Sequence, residues 1–328
     1  MNCPMLRLTA LAAAIATGLI ALSAPLWAQP YPSRIVRIVV PFPAGGLVDG
    51  VARLIQPALE KGLGQTVILD NRPAASGTVG TNMIAKIAPD GYNLLMVAST
   101  HTVAPATNPR LPYDIENDLA PISLVAKNPL LFIINKDLPP KTLQEFIAYA
   151  KEQPGKLTYA TPGAASQSHL LTELFSQRAG IKMLHVPYRG GAPAIMSVIS
   201  GETQFAILST QISAPQLEAG NVRALAAGGT SREKEFATIP TLAEAGFPDI
   251  EAIQWVGMLG PAKLPQDIVN RLHDVLSRVL SDPDTIAKLA SQGMVPALTS
   301  PEEFHEIIGR EVKVWTEVAR AADIKAVN

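Results

Sequence analysis

The chain has almost no cysteine, few aromatic residues and little charge of either sign. Of its 328 residues one is cysteine, 5% are aromatic and 17% are charged, and the formal net charge is -1. This composition has no basic excess of the kind used to bind nucleic acid, so we expect no nucleic-acid partner. The single cysteine, Cys3, lies next to the N-terminus. We therefore expect neither disulfides nor thiolate chemistry in the mature protein.

The N-terminus has the pattern of a secretory signal peptide. Arg7 is the only charge ahead of a run of apolar and small residues at 8–22, Pro25 ends that run, and residues 26–28 offer a cleavage site. A membrane anchor is the alternative, and it is disfavoured because the run is shorter than the ~20 residues that span a bilayer. We expect residues 1–28 to be removed and the mature protein to be periplasmic.

Catalytic and metal-binding motifs are also missing. The glycine loop at 43–46 lacks the Gly-Lys-Ser/Thr ending of a nucleotide P-loop. His305 has no second histidine four residues on, and the five histidines form no close metal-ligand pair. Ser166 lacks the glycine that completes a nucleophile elbow. A hydrolase using Ser166 and His169 remains the least favoured alternative. We expect no enzyme activity, no catalytic residue, no metal and no cofactor.

The chain does contain a strand, a small-residue loop and a helix in succession. Residues 34–40 are rich in β-branched residues and predict a buried strand, and apolar residues from Val51 onward recur at helical spacing. Asp49 is predicted to be the N-cap of this helix. The loop between them, residues 41–49, holds two glycines that let the backbone approach a ligand, and the following helix N-terminus favours an anion. A tight turn without a ligand is the alternative.

The same succession recurs along the chain and predicts an α/β fold with parallel strands. Further strands that lead into such loops are expected at 67–69, 94–97, 157–160 and 183–186. Residues 105–121 are predicted to be mostly irregular, and the C-terminal part is predicted to be helical, with a capping box at Ser300. Because ligands bind at the carboxyl ends of strands in such sheets, we expect the loops there to form a cleft.

Several stretches together resemble the extracytoplasmic solute receptors of the tripartite tricarboxylate transporter, often called the Bug family. They are residues 38–53 (IVVPFPAGGLVDGVAR), 71–80 (NRPAASGTVG), 90–100 (DGYNLLMVAST), 159–170 (YATPGAASQSHL), 186–194 (VPYRGGAPA), 239–247 and 255–265. The resemblance implies an α/β, two-lobed periplasmic binding protein (type II-like). Each lobe would be a mostly parallel sheet flanked by helices, with the ligand in the cleft between lobes. Lobe 1 is expected at 29–124 and 249–328, and lobe 2 at 125–248.

The resemblance also implies that loop backbone N–H groups, hydroxyl groups and ordered waters hold a small carboxylic acid. Carried over to this chain, it points to the following residues at strand ends: Phe42, Ala44, Gly45, Gly46, Ser76, Gly77, Ser99, Thr100, His101, Gly163, Ala164, Ala165, Ser166 and Leu208. Many relatives carry an acidic residue where Leu208 lies. Because an ammonium group needs such a partner where water is excluded, we expect an aliphatic or aromatic mono- or dicarboxylate without an amine.

The resemblance further implies partners in the membrane. We expect a monomer that delivers its acid to the integral membrane subunits of a tripartite transporter. The alternative is a sensor whose closed form docks on a two-component kinase. The sequence leaves both open, because both require only a closure of the lobes that a partner recognises.

Overall fold

Strands and helices alternate along the part of the chain that the structure, a computed structural model, describes: residues 31–74, 77–108, 110–229, 232 and 236–325. The predicted signal peptide and Ser76 lie outside these residues. In the described part of the chain, no helix has both the length and the apolar character needed to cross a membrane.

The described residues form ten strands and ten helices. The strands are β1 (Val36–Val40), β2 (Val67–Asn71), β3 (Asn93–Ala98), β4 (Leu119–Asn135), β5 (Thr158–Thr161), β6 (Leu184–Pro187), β7 (Phe205–Ser209), β8 (Val222–Ala227), β9 (Ile253–Pro261) and β10 (Val295–Pro296). The helices are α1 (Leu47–Leu63), α2 (Thr78–Ala85), α3 (Thr100–Thr107), α4 (Leu143–Lys151), α5 (Gln167–Ala179), α6 (Gly191–Ser200), α7 (Thr210–Glu218), α8 (Gln266–Leu280), α9 (Pro283–Ala290) and α10 (Pro301–Ala321).

Two groups of parallel strands form the ends of the sheet. At one end β1 lies between β2 and β3, and Ile38 of β1 pairs with Leu69 and Leu94. At the other end β5 lies between β6 and β7, also in parallel. Strand β9 joins the first group antiparallel to β3. The predicted α/β fold with parallel strands and flanking helices is confirmed, but the antiparallel pairings made by β4 and β9 make the sheet mixed and not mostly parallel.

Strand β4 links the two groups. Its residues up to Pro129 pair with β9, whereas those from Leu130 onward pair with β7 and β8. At this crossing Gly228 donates its N–H to the Leu130 carbonyl group at 2.8 Å, and Leu130 donates to the Ala252 carbonyl group at 2.9 Å. A Cβ at Gly228 would overlap the Ala252 carbonyl group, so the close approach of these segments requires glycine.

The buried side chains divide between the two groups of strands, and α10 contributes to both. Phe304 and Ile308, in the first half of α10, pack with Val39 and Leu95 of the first group. Trp315, in the second half, packs in a cluster that includes Phe132 and the buried face of α5. Helix α10 therefore runs along both groups. The lobe boundaries at 124/125 and 248/249 remain predictions.

One local prediction holds only in part and one is wrong. In the stretch predicted to be mostly irregular, residues 110–118 lie outside helices and strands, whereas 119–121 belong to β4. Residues 105–107 belong to helix α3 although Pro105 lies within it. Packing of Val103 in the core and the many contacts between α3 and α10 compensate for the backbone hydrogen bond that a proline inside a helix cannot make. Helix α1 begins after Gly46, so Asp49 lies in its first turn and is not the N-cap. The capping box predicted at Ser300 is confirmed.

Candidate functional site

A cavity of about 270 Å³ lies where strands end and helices begin. The residues that line it come from both groups of strands: Leu47, Thr100, Leu130, Pro162, Ser166, Gln167, Ser168, Gly191, Leu208, Ser209, Gln211, Ile212 and Gln254. This is the position that the general rule for parallel α/β sheets predicts for a ligand.

Among the described residues, the N-termini of five helices meet at this cavity. Leu47, Thr100, Gln167 and Gly191 are the first residues of α1, α3, α5 and α6, and Gln211 is the second residue of α7. The first N–H groups of a helix have no partner within the helix, and the helix dipole places partial positive charge there. Five such ends at one cavity create an environment that favours an anion.

The side chains at the cavity are neutral. Within the described lining, polar groups are hydroxyl groups and amides, as in Ser166 and Gln254, and no side chain is charged. Leu130, Leu208 and Ile212 supply apolar surface. An acid would therefore bind through backbone N–H groups and hydroxyl groups, which suit a carboxylate and leave an ammonium group without an acidic partner.

Two stacked histidines lie behind the loop between β5 and α5. The rings of His169 and His185 are 3.7 Å apart between centroids, at an angle of 19°. His169 Nδ1 accepts the N–H of Ala165 at 3.1 Å, and Ala165 has a left-handed backbone with φ 56. His185 Nε2 lies 2.7 Å from the hydroxyl group of Thr161. The pair thus supports the loop that carries Ser166.

Both histidines are neutral at physiological pH. Burial, together with the neighbouring His185, lowers the pKa of His169 to about 4. Burial also lowers the pKa of His185 to about 4. Protonation would place two cations face to face and would end the acceptance of the Ala165 N–H, because a protonated Nδ1 can only donate.

The glycine loop before α1 is held from within the protein. Gly45 donates its N–H to Asp49 Oδ2 at 2.8 Å, and Gly46 donates to the Pro43 carbonyl group at 3.3 Å. Asp49 is buried and also accepts from Arg53 at 2.8 Å and Asn71 at 2.9 Å. Burial raises the pKa of Asp49, but these bonds outweigh it and the pKa is lowered overall. The amides of both glycines are therefore engaged inside the loop.

Two buried polar contacts join the segments around the cavity. The hydroxyl group of Ser99 donates to Gln167 Oε1 at 2.7 Å, and Gln167 Nε2 donates to the Ile253 carbonyl group at 3.0 Å. The hydroxyl group of Thr210, at the start of α7, lies 2.7 Å from Asn128 Oδ1 on β4. Both contacts link helices of the second group of strands to the first group.

The structure brings only part of the predicted set into the cavity lining. Thr100, Ser166 and Leu208 line it, and Ser99 lies behind it. The other described members lie outside the lining: Phe42, Ala44, Gly45, Gly46, Gly77, His101, Gly163, Ala164 and Ala165. His101 is buried with its ring stacked on that of Tyr113 at 6.1 Å, and burial lowers its pKa to about 3, so it is neutral.

Several lining residues were missed by the sequence analysis. Gly191 follows the loop after the strand predicted at 183–186, so the repeated pattern could have indicated it. Gln167 and Ser168 follow Ser166 directly and could have been found by extending that loop by one turn. Leu130 and Gln254 come from β4 and β9, and no local pattern marks them as cavity residues.

A second cavity, of about 420 Å³, is lined by charged residues that include Arg110, Arg320 and Lys325. It lies at the C-terminal ends of α3 and α10, and Lys325 pairs with Asp323 at 2.8 Å. In the lining of this cavity, cations outnumber the one acidic residue, Asp323, so charge does not decide between the two cavities. The first cavity is the better candidate for an acid because it lies at the strand ends where ligands bind in such sheets.

Comparison with known proteins shows the family of this chain. The family model described as "Tripartite tricarboxylate transporter family receptor" matches residues 51–324. Protein BugT of Bordetella pertussis is 35% identical over 306 residues, which is 93% of this chain and 94% of BugT. Rpa4515 of R. palustris, solved with adipate, has a TM-score of 0.73 and 33% identity and covers 90% of this chain and 100% of its own.

MatC (Rpa3494) from Rhodopseudomonas palustris, solved with bound malate, is also similar in fold and sequence. Its TM-score is 0.70 at 31% identity, and the match covers 88% of this chain and 99% of MatC. A family model that covers most of the chain and relatives of this similarity over nearly the full length agree with the resemblance seen in the sequence. The chain therefore belongs to the tripartite tricarboxylate transporter receptor family.

Proposed function

We propose that this protein is a periplasmic solute-binding receptor that captures a small carboxylic acid without an amine. The observation that carries the proposal is the meeting of five helix N-termini at one cavity whose described lining has no charged side chain. The partial positive charge of the helix N-termini compensates the charge of a carboxylate. No cationic side chain has to be buried for this purpose, and burying one would itself be costly.

The apolar part of the cavity supports the absence of an amine. Leu208 is buried on β7 and lines the cavity together with Leu130 and Ile212. An ammonium group placed against this surface would lose its water without gaining an acidic partner. A hydrocarbon body fits there, so aliphatic acids and aromatic acids small enough for the cavity both suit the site.

The similar proteins of known structure support the same ligand class. Rpa4515 was solved with adipate and MatC with malate, and both acids lack an amine. The family description also supports a partner, the membrane subunits of a tripartite transporter, to which this protein would deliver its acid. We expect it to do so as a monomer. We place it in the periplasm.

Binding would be accompanied by closure of two lobes. The buried bonds from Ser99 to Gln167 and from Thr210 to Asn128 connect the two groups of strands next to the cavity. They would form when the lobes close on the acid, and β4 with the Gly228 crossing would act as the hinge. Closure around a ligand is a common response of two-lobed proteins.

The contacts of Ser166 and His169 argue against hydrolysis. Ser166 Oγ accepts the backbone N–H of His169 at 3.3 Å and serves as the N-cap of α5. His169 Nδ1 accepts the N–H of Ala165. These contacts explain the two residues as structural supports of a loop, so a binding protein without enzyme activity fits them better than a hydrolase.

A ligand panel built from matched pairs tests this function. Succinate with aspartate and glutarate with glutamate differ only by the amine, while adipate, malate, benzoate and phthalate vary the body of the acid. We expect amine-free acids to raise the melting temperature and to bind in calorimetry with one acid per protein and no turnover. Tight binding of aspartate or glutamate with weak binding of succinate and glutarate would refute the proposal.

A further inference from the structure

Glu311 of helix α10 makes two hydrogen bonds that the proposed binding function does not use. Its Oε1 accepts the indole N–H of Trp255 at 2.9 Å. Its Oε2 lies 2.6 Å from the hydroxyl oxygen of Thr102. Thr102 is fully buried and Trp255 is nearly so. A carboxyl group on the C-terminal helix is thus held between α3 and β9.

The number of protons available at the Thr102 hydroxyl group decides whether the carboxyl group of Glu311 is protonated. The Thr102 hydroxyl oxygen also lies 2.7 Å from the carbonyl oxygen of Ser99. A hydroxyl group carries one proton and can donate it fully to only one of two acceptors. If Thr102 donates to Ser99, the short contact with Glu311 is a hydrogen bond only when the proton of that bond belongs to Glu311. Sharing one proton between both would bend each bond away from the linear arrangement that such short distances require.

The surroundings of Glu311 agree with a protonated carboxyl group. Burial raises its pKa to about 7, and the bonds from Thr102 and Trp255 only partly offset this. Glu251, ahead of β9, raises the pKa and Arg310, the neighbour on α10, lowers it. These two charges pair with each other at 3.1 Å and are exposed, so neither compensates a charge on Glu311 in full.

The chain of bonds continues to the cavity. Ser99 is the N-cap of α3, its carbonyl group accepts from Thr102, and its hydroxyl group donates to Gln167. Thr100, the next residue, lines the cavity, as does Gln167. An ionised Glu311 would take the Thr102 proton for itself, and the Ser99 carbonyl group would keep the backbone N–H of Thr102, at 3.1 Å, but lose the hydroxyl group. The first turn of α3 would then lose one of the bonds that fix it.

We propose that Glu311 carries the proton of its bond to Thr102 and thereby positions the first turn of α3 at the cavity. The consequence of this inference rests on the proposed function. If the cavity binds an acid, that binding is coupled to the protonation of Glu311, which lies outside the cavity lining. Glu311 is a positioning residue and does not touch the acid. Affinity for a carboxylate should fall as the pH rises through the range in which Glu311 ionises.

The replacement Glu311→Gln isolates the proton. Glutamine keeps an oxygen to accept from Trp255 and an amide to donate to Thr102, as the protonated carboxyl group does, but it cannot ionise. Glu306→Gln, at an exposed position of the same helix, is the matched control. Thr102→Val is a second variant that removes the hydroxyl group between Glu311 and Ser99 without altering the carboxyl group.

Two measurements on the free protein test the inference without any ligand. The NMR signal of the Trp255 indole N–H should titrate near neutral pH in the wild type and in Glu306→Gln, and not in Glu311→Gln. Amide exchange of Ser99 and Thr102 should be faster in the wild type than in Glu311→Gln above about pH 8, and equal below about pH 6. Thr102→Val should exchange faster at every pH. An indole signal that does not titrate, or equal exchange at all pH values, would overturn the inference.

Calorimetry with adipate then separates this inference from the proposed function. Wild-type affinity should fall roughly 3- to 30-fold between about pH 6 and pH 8.5, while Glu311→Gln stays constant. An equal fall in both proteins would contradict the coupling. If adipate and the other acids of the panel fail to bind at any pH, the proposed function fails, whereas the two measurements on the free protein still decide the role of Glu311.

Discussion

Acidification should act on the two stacked histidines and weaken the protein at the cavity loop. His169 and His185 each have a pKa of about 4 in the folded protein, against about 6.5 in an unfolded chain. The unfolded state therefore binds protons first as the pH falls. The contribution of the two neutral histidines to the free energy of unfolding is complete above about pH 6.5. It is lost progressively as the pH falls to about 4.

The size of the effect follows from the shift. Lowering the pKa of a buried histidine from 6.5 to about 4 corresponds to about 3 kcal/mol of folding free energy. His169 is nearly buried, whereas His185 is only partly buried and water screens its charge, so His185 contributes less. We expect a combined loss of about 3–5 kcal/mol, which is a large part of the stability of an ordinary domain.

Urea unfolding from pH 7.5 to pH 4 provides the assay, with His169→Asn as the main variant. The asparagine oxygen can accept the Ala165 N–H in place of Nδ1 but cannot bind a proton in this range. The variant should lose about 3 kcal/mol less than the wild type on acidification. Glu311 titrates with the opposite sign over part of this range, so the difference between the two proteins is the quantity to compare. His305→Asn, at an exposed position of α10, is the control. Equal pH dependence in wild type and His169→Asn would refute the reasoning.

Three further substitutions test parts of the site. Gly191→Ala should weaken acid binding by a few-fold, since its Cβ would displace the end of the Ile212 side chain, which lines the cavity; unchanged calorimetric affinity would show that this wall does not contact the acid. Leu208→Asp should weaken the binding of amine-free acids more than Leu208→Asn does, because only the aspartate adds a buried negative charge to a side chain of the same size. Equal losses of affinity in the two variants would contradict the argument from charge. Arg53→Ala should lower the melting temperature yet leave affinity within about threefold, because Arg53 pairs with Asp49 and not with the cavity; loss of binding in a folded protein would indicate a charged clamp.

The sequence predicts the alternating elements well because their signals are local. Strand β1, the glycine loop and α1 follow from a run of β-branched residues, two glycines and helical periodicity within about thirty residues. Helix α3 was missed for the opposite reason. Pro105 is a strong local signal against a helix, and only the packing of Val103 and the contacts with α10 show why the helix forms.

The site could be predicted only in outline. Loops at strand ends were predicted as the setting of the ligand site, and Thr100, Ser166 and Leu208 of the predicted set line the cavity. The sequence does not show which backbone N–H groups remain available to a ligand. The N–H of Gly45, for example, donates to Asp49, and this contact depends on how the loop folds. Gln254 reaches the cavity through long-range strand pairing, which a local pattern does not contain.

A structure of the complex with adipate tests the central claim most directly. The account predicts that carboxylate oxygens lie about 3 Å from backbone N–H groups in the first turns of the helices that begin at Leu47, Thr100, Gln167, Gly191 and Thr210. It also predicts that the hydrocarbon body of the acid contacts Leu208. Adipate bound elsewhere, for example between Arg110 and Arg320 in the second cavity, would contradict the account. So would a carboxylate held in the first cavity mainly by a charged side chain.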